Sequence, residues 1–182
     1  KSEKFLLKIS HYLKKFFFFF GFLRKHKTIN MTTVIELLSF ENKVFTAYVF
    51  WSAVLVIKML SMALLTANQR IKNKTFANPE DISFDKKAKV KFDDPNVERV
   101  RRAHRNDLEN ILPFFIIGIL YVFTDPVDFL AINLFRAVGI ARIVHTLVYA
   151  VFVVPQPARG LAFFVALAPT AYMAVRVILF CL

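Results

Sequence analysis

Apolar residues are concentrated in four segments, at 44–66, 111–123, 129–154 and 161–182. Each segment consists mainly of Val, Leu, Ile, Phe and Ala, and charged residues are frequent between the segments. A helix that crosses the roughly 30 Å hydrocarbon core of a bilayer needs about 20 such residues. The first, third and fourth segments reach this length, so the pattern predicts membrane-spanning helices.

The second segment is too short to cross by itself, because each helical residue adds only about 1.5 Å. It spans a bilayer only if its helix begins near Val97, directly after Asp94-Pro95-Asn96, where Asn96 is a suitable N-cap. Polar side chains at 102–109 then lie at membrane depth and must face the protein interior or a wet cavity. The sequence therefore predicts an all-α integral membrane four-helix bundle.

The charge of the chain fits a membrane protein better than a nucleic-acid-binding protein. Hydrophobic residues make up 57% of the 182 residues, which excludes a disordered chain, although the formal net charge is +12. Lys and Arg are frequent in 70–96 and absent from 124–128. The positive-inside rule therefore places 70–96 and the turn 155–159 in the cytoplasm, and 124–128 in the lumen. Cys181 is the single cysteine, which excludes an internal disulfide and a cysteine-based zinc site.

Residues 1–30 differ from the rest of the chain. They are strongly basic and contain an unbroken run of phenylalanines at 16–20. We expect them to lie upstream of a natural start at Met31, with a basic interfacial anchor as the alternative. The predicted membrane domain comprises residues 31–182.

Polar residues recur at helical spacing inside the predicted spans. On the second helix they share one face, because they are three or four residues apart. Arg142, His145 and Tyr149 share a face of the third helix, and the fourth helix begins near Arg159. These side chains converge on the cytoplasmic half. The second-helix set is Glu98, Arg102, Arg105, Asn106 and Glu109.

Some intramembrane charges are expected to pair, since an isolated charge at the bilayer centre costs about 2.5–3.5 kcal/mol on insertion scales. Matching depths predict two structural pairs. One joins Lys58 to Asp107, and the other joins Glu109 to Arg142.

The remaining cations exceed the acids that could satisfy them. Such an excess favours an anionic ligand that enters from the cytoplasm. Glutathione fits, because arginine binds carboxylates bidentately, an acid can bind the ammonium group, and a nearby cation favours the thiolate. Arg159, at a helix N-terminus, offers both charge and dipole. A nucleotide is disfavoured, because the sequence has neither a phosphate loop nor a metal-binding acid pair.

Five motifs resemble, in order and spacing, the membrane-associated proteins in eicosanoid and glutathione metabolism (MAPEG). The resemblance covers residues 43–180, and residues 1–30 have no counterpart in it. The motifs are 56–59, 76–81, 97–110, 142–146 and 155–159.

The resemblance implies a homotrimer of four-helix subunits, with glutathione as co-substrate bound between neighbouring subunits near the cytoplasmic face. It assigns thiolate stabilisation to Arg159 and assigns Arg70 to the site of the adjacent subunit. It also implies residence in the endoplasmic reticulum membrane and the mitochondrial outer membrane. The other residues at glutathione-contacting positions are Arg102, Arg105, Asn106, Glu109, His145 and Tyr149.

Three functions remain open. The first is conjugation of glutathione to lipophilic electrophiles, with peroxidase activity on lipid hydroperoxides. The second is a prostaglandin E synthase-type isomerase, whose branch of the family has a serine and a tyrosine where this chain has Gly160 and Phe163. The third is a non-catalytic membrane partner. Gly160 and Phe163 favour the transferase branch, and the complete polar set favours an enzyme.

Overall fold

The computed structural model describes residues 34–83, 85 and 87–182. The predicted extension 1–30 lies outside the described residues, so its separate status stays a prediction. Four long helices pack against one another and form most of the described chain. They are α1 (Lys43–Asn73), α2 (Pro95–Val122), α3 (Asp128–Thr146) and α4 (Ala158–Cys181), with a π-helical turn at Leu147–Val151 after α3 and a one-turn helix at Val34–Leu37 before α1.

Three stretches of the described chain are long and apolar enough to cross a membrane. They are α1, α3 with its π-helical turn, and α4. Helix α2 is as long as these but carries a charged N-terminal half. The predicted helical membrane protein is therefore confirmed at this level.

Side-chain caps determine where α1 and α2 begin. Asn42 accepts hydrogen bonds from the amides of Val44 and Phe45 at 2.9 and 3.2 Å. The predicted cap Asn96 for α2 is wrong, because Asp94 accepts from the amides of residues 96 and 97, each at 3.1 Å. Pro95 then occupies the first helical position, where a missing N–H costs nothing.

A short parallel ladder closes the α1–α2 connection. β1 (Thr75–Phe76) pairs with β2 (Lys89–Val90), and a 3₁₀ helix at Pro79–Ile82 lies between them. These strands are the one departure from an all-α chain among the described residues. The ammonium of Lys74 lies 2.9 Å from the carboxylate of Asp85. This hydrogen bond is the main cause that lowers the pKa of Asp85.

The aromatic core between α1, α2 and α3 holds the helices together. Phe114 and Phe135 are fully buried and meet edge to face with their ring centroids 6.1 Å apart. Tyr48 packs against Phe135 at 5.7 Å, and its hydroxyl donates to the carbonyl of Phe115 at 2.8 Å. Gly139 lets α3 approach the Trp51 indole, because a Cβ there would lie 2.0 Å from the ring. This close packing orients the polar faces of the helices.

Candidate glutathione site

A buried charge cluster lies behind the site. Asp107 is fully buried and accepts from Lys58 and, at 2.5 Å, from Arg142. The predicted Lys58–Asp107 pair is therefore confirmed. The predicted Glu109–Arg142 pair is wrong, because Arg142 donates to Asp107 and to Asn106 instead. Glu109 lies two residues after Asp107, on a different, exposed side of α2.

A cavity of about 350 Å³ opens between α2, the end of α3 and the start of α4. The lining residues of α2 are three or four positions apart along the helix or adjacent, so they form one continuous stripe on its surface. The lining residues of α4 do the same. The lining residues are Arg102, Arg105, Asn106, Glu109, His145, Tyr149, Gln156, Arg159, Gly160 and Phe163.

Most residues assigned to the site from the sequence meet in this cavity. The predicted glutathione contacts of α2, of α3 and of the π-helical turn all line it, and so does Arg159 of α4. Arg70 does not line it. Arg70 lies in the last turn of α1, where its Nη1 atom is buried without a hydrogen-bond partner among the described side chains. Glu98 also stays outside, because it pairs with Arg101 at 2.5 Å.

The electrostatics of the cavity are dominated by three guanidinium groups. Arg102, Arg105 and Arg159 form no ion pair within the part of the chain that the structure describes. Glu109 is the one carboxylate among the lining residues. Three cations against one anion make a site for an anionic ligand that also carries a positive group.

Arg159 is positioned by an aromatic side chain. Its guanidinium carbon lies 4.4 Å from the centre of the Tyr149 ring, a cation–π contact. Tyr149 in turn meets the ring of His145 edge to face, with the centroids 5.6 Å apart. The π-helical turn that follows α3 contains Tyr149, and such turns are frequent at functional sites.

The N-terminus of α4 adds a partial positive charge beside Arg159. Gln156 uses its side-chain oxygen to accept from the amide of Gly160 at 3.1 Å. Gln156 was not assigned to the site from the sequence. Its spacing of three residues before Arg159 was the available signal, but the turn that contains it has no helical period.

Asn106 is held by the charge cluster. Its side-chain oxygen accepts from Nη2 of Arg142 at 2.9 Å. The amide nitrogen of the same side chain is therefore the group left for the cavity. A buried arginine thus fixes a hydrogen-bond donor toward the ligand.

The described residues contain no group of three or more His, Cys, Asp or Glu side chains that could hold a metal ion. The ionisable groups that line the cavity are three guanidinium groups, one carboxylate, an imidazole and a phenol.

Comparisons with known proteins identify the family of the chain. Microsomal glutathione S-transferase 1 of Mus musculus is 47% identical over 142 residues, covering 76% of this chain and 91% of that protein. The protein of the same name in Homo sapiens is 44% identical over the same shares. Prostaglandin E synthase of Bos taurus is 40% identical over 138 residues, 76% of this chain and 90% of the relative. Residues 48–179 match the MAPEG family, and the chain therefore belongs to that family.

Proposed function

We propose that this chain is a membrane-bound glutathione transferase, which joins the thiolate of glutathione to lipophilic electrophiles. The observation that carries the proposal is the cavity between α2, α3 and α4, whose three arginines and one glutamate form no ion pair among the described residues. The identity of 44–47% to proteins named microsomal glutathione S-transferase 1 supports it.

The charges of glutathione match those of the cavity. Arg102 and Arg105 bind its two carboxylates, because a guanidinium can hold a carboxylate bidentately. Glu109 binds the ammonium group, since this acid lines the cavity and forms no ion pair with another described residue. Asn106, His145 and Tyr149 supply further hydrogen bonds along the peptide.

Arg159 stabilises the thiolate. A free thiol has a pKa of about 8.5, so a cation and a helix N-terminus beside the sulfur increase the thiolate fraction at neutral pH. The thiolate attacks an electrophilic carbon, a C–S bond forms, and the leaving group departs with the bonding electrons. With a lipid hydroperoxide the thiolate attacks the peroxide oxygen instead. Two glutathiones are then oxidised to the disulfide, and the hydroperoxide is reduced to an alcohol and water.

The functional unit is a homotrimer in which each subunit spans the membrane four times, α2 included. Arg70 then completes the cavity of a neighbouring subunit. Two observations support this arrangement: Arg70 does not line the cavity of its own chain, and its Nη1 atom has no partner among the described side chains. Many large apolar side chains are also exposed on the single subunit, which fits burial against lipid and other subunits.

The protein resides in the endoplasmic reticulum membrane and in the mitochondrial outer membrane, with the cavity open to the cytoplasm. Glutathione is then reached from its aqueous pool, and the electrophile arrives from the bilayer. The basic connection between α1 and α2, on the same side as the cavity, supports this orientation.

A prostaglandin E synthase-type isomerase is the second candidate, because one such enzyme is 40% identical. Gly160 and Phe163 argue against it, since both line the cavity and neither carries the hydroxyl of the isomerase branch.

One assay decides between the two. The protein is purified in detergent and mixed with reduced glutathione and either a chlorinated dinitrobenzene or prostaglandin H. We expect the glutathione conjugate to form and prostaglandin H to be converted no faster than without enzyme. Conversion of prostaglandin H without conjugation would favour the isomerase. The absence of both activities would contradict an enzymatic role.

A further inference from the structure

A second cavity, of about 440 Å³, lies in a groove between α3 and α4. It shares no lining residue with the glutathione cavity. Its volume lies within the range of about 300–1,000 Å³ that is usual for ligand pockets. The proposed transferase mechanism makes no use of it.

Small side chains keep this groove open. Ala137 and Ala141 lie one turn apart on α3, and Ala158 and Ala162 lie one turn apart on α4. The rest of the wall toward Val144 is aliphatic. The groove is therefore a long apolar channel between two helices that can each cross a membrane.

One end of the groove is polar. Arg136 is exposed there, and its Nη1 donates to the side-chain oxygen of Asn133 at 3.1 Å. No carboxylate of the described residues lies within ion-pairing distance of Arg136. Arg136 is eight residues from the start of α3, or roughly 12 Å along the helix axis. A cation at this depth is costly unless an anion approaches it.

The interiors of the four long helices offer no free acid from another copy of the chain. Beyond their first turns, the four long helices contain two acids. Asp107 is buried and paired with Lys58 and Arg142, and Glu109 faces the glutathione cavity. The partner that fits has one negative group and a long apolar part.

We propose that this groove binds an anionic phospholipid. Its phosphate contacts Arg136, and one acyl chain lies along the alanines of α3 and α4. The direction of the groove matches this occupant, because the charged end lies nearer the start of α3 and the aliphatic wall continues from there along α3 toward Val144. The inference is independent of the proposed glutathione chemistry.

Native mass spectrometry of the intact protein tests the proposal. Detergent-purified protein is incubated with equal amounts of phosphatidylglycerol and phosphatidylcholine that carry identical acyl chains. We expect phosphatidylglycerol to be retained preferentially. Arg136→Gln should weaken its retention about fivefold, which corresponds to about 1 kcal/mol for one basic residue near a lipid headgroup.

Two further variants sharpen the test. Arg176→Gln removes an arginine on α4 that does not line the groove, and it should retain the lipid like the wild type. Ala137→Leu fills the groove while leaving the charge in place, so it should reduce retention of both lipids. Helix content measured by circular dichroism verifies that each variant is folded.

Three results would overturn the proposal. Equal retention of the two lipids by the wild type would contradict a contact between the lipid headgroup and Arg136. Equal losses of phosphatidylglycerol retention in the Arg136 and Arg176 variants would contradict binding of the lipid in this groove. A change of oligomeric state in Arg136→Gln with unchanged lipid retention would identify a second copy as the occupant. Conjugation activity is measured in parallel, so failure of the lipid site is distinguishable from failure of the transferase proposal.

Discussion

At the scale of single residues, Arg159 and Asp107 have contrasting roles. Arg159 lines the cavity, lies over the Tyr149 ring and has no counter-ion among the described residues. Its charge is therefore available to a ligand. Asp107 is fully buried between two cations. Its charge is neutralised by these two cations and is not available to a ligand. Substitutions of Arg159 and of Asp107 should therefore have different effects.

Arg159→Ala should lower kcat for conjugation by about 10²–10³, which is the usual cost of losing a group that stabilises charge in the transition state. The pH at which thiolate absorbance appears should rise, because the cation favours the ionised thiol. Arg159→Lys should recover part of kcat, since a point charge suffices for a thiolate. Arg102→Ala is the matched control, and it should mainly raise KM for glutathione. Unchanged kcat and thiolate titration in Arg159→Ala would refute the catalytic assignment.

Asp107→Asn should destabilise the protein by about 3–5 kcal/mol, because it leaves Lys58 and Arg142 buried without an anion. Glu109→Gln removes a carboxylate from the same helix but strands no buried cation. It should leave thermal stability in detergent near that of the wild type and weaken glutathione binding. Thermal unfolding followed by Trp51 fluorescence measures the first effect, and glutathione titration measures the second. Equal destabilisation by both substitutions would show that Glu109 also belongs to the buried cluster.

At the scale of elements, helix ends determine the geometry of the site. Asp94 caps α2 and Pro95 is its first residue. This starting point determines the distance of each polar stripe residue from the N-terminus of the helix. At α4, the side chain of Gln156 satisfies the Gly160 amide. The partial positive charge of this helix end therefore adds to the charge of Arg159, which lines the cavity.

Asp94→Ala should lower the free energy of unfolding by about 1 kcal/mol, as is typical for loss of an N-cap. Asn96→Ala is the control, because the Asn96 side chain makes only an exposed contact to Asn73 at 3.5 Å. The melting temperature of each variant in detergent separates the two. If Asn96→Ala were the more harmful substitution, the cap would be misassigned.

At the scale of the whole molecule, the membrane organises the fold and its function. The outer faces of the helices carry many exposed apolar side chains, and the polar stripe of α2 lines the glutathione cavity. The glutathione cavity and the lipid groove share no residue, although both are built from α3 and α4. One pair of helices therefore contributes to two separate cavities, one lined by charged residues and one mainly by aliphatic residues.

The orientation of the chain can be tested by protease access in sealed microsomes. A cleavage site inserted within 70–96 should be cut from outside, because the positive-inside rule places this basic connection in the cytoplasm. A site inserted within 124–128 should be cut only after the membrane is permeabilised. Protection of the 70–96 site in sealed vesicles would reverse the proposed topology.

The sequence by itself determined the helices and the polar stripe of the cavity. Apolar segments of sufficient length predict helices, and the 3.6-residue period places Arg102, Arg105, Asn106 and Glu109 on one face whatever surrounds them. Arg159 stood out by its place at the predicted start of the fourth helix, and the family resemblance assigned thiolate stabilisation to it. These features depend on local geometry, which the order of residues fixes directly.

Matching depths predicted the Lys58–Asp107 pair, but only the tertiary structure decided the partner of Arg142. Depth along the membrane allowed Glu109 to reach Arg142, but depth leaves the rotation of each helix about its axis undetermined. Packing of the aromatic core sets that rotation, and it turns Asp107 toward Lys58 and Arg142. Glu109 is thereby left facing the cavity. The contribution of Gln156 was decided in the same way, because its turn acquires a definite direction only when α3 and α4 are packed.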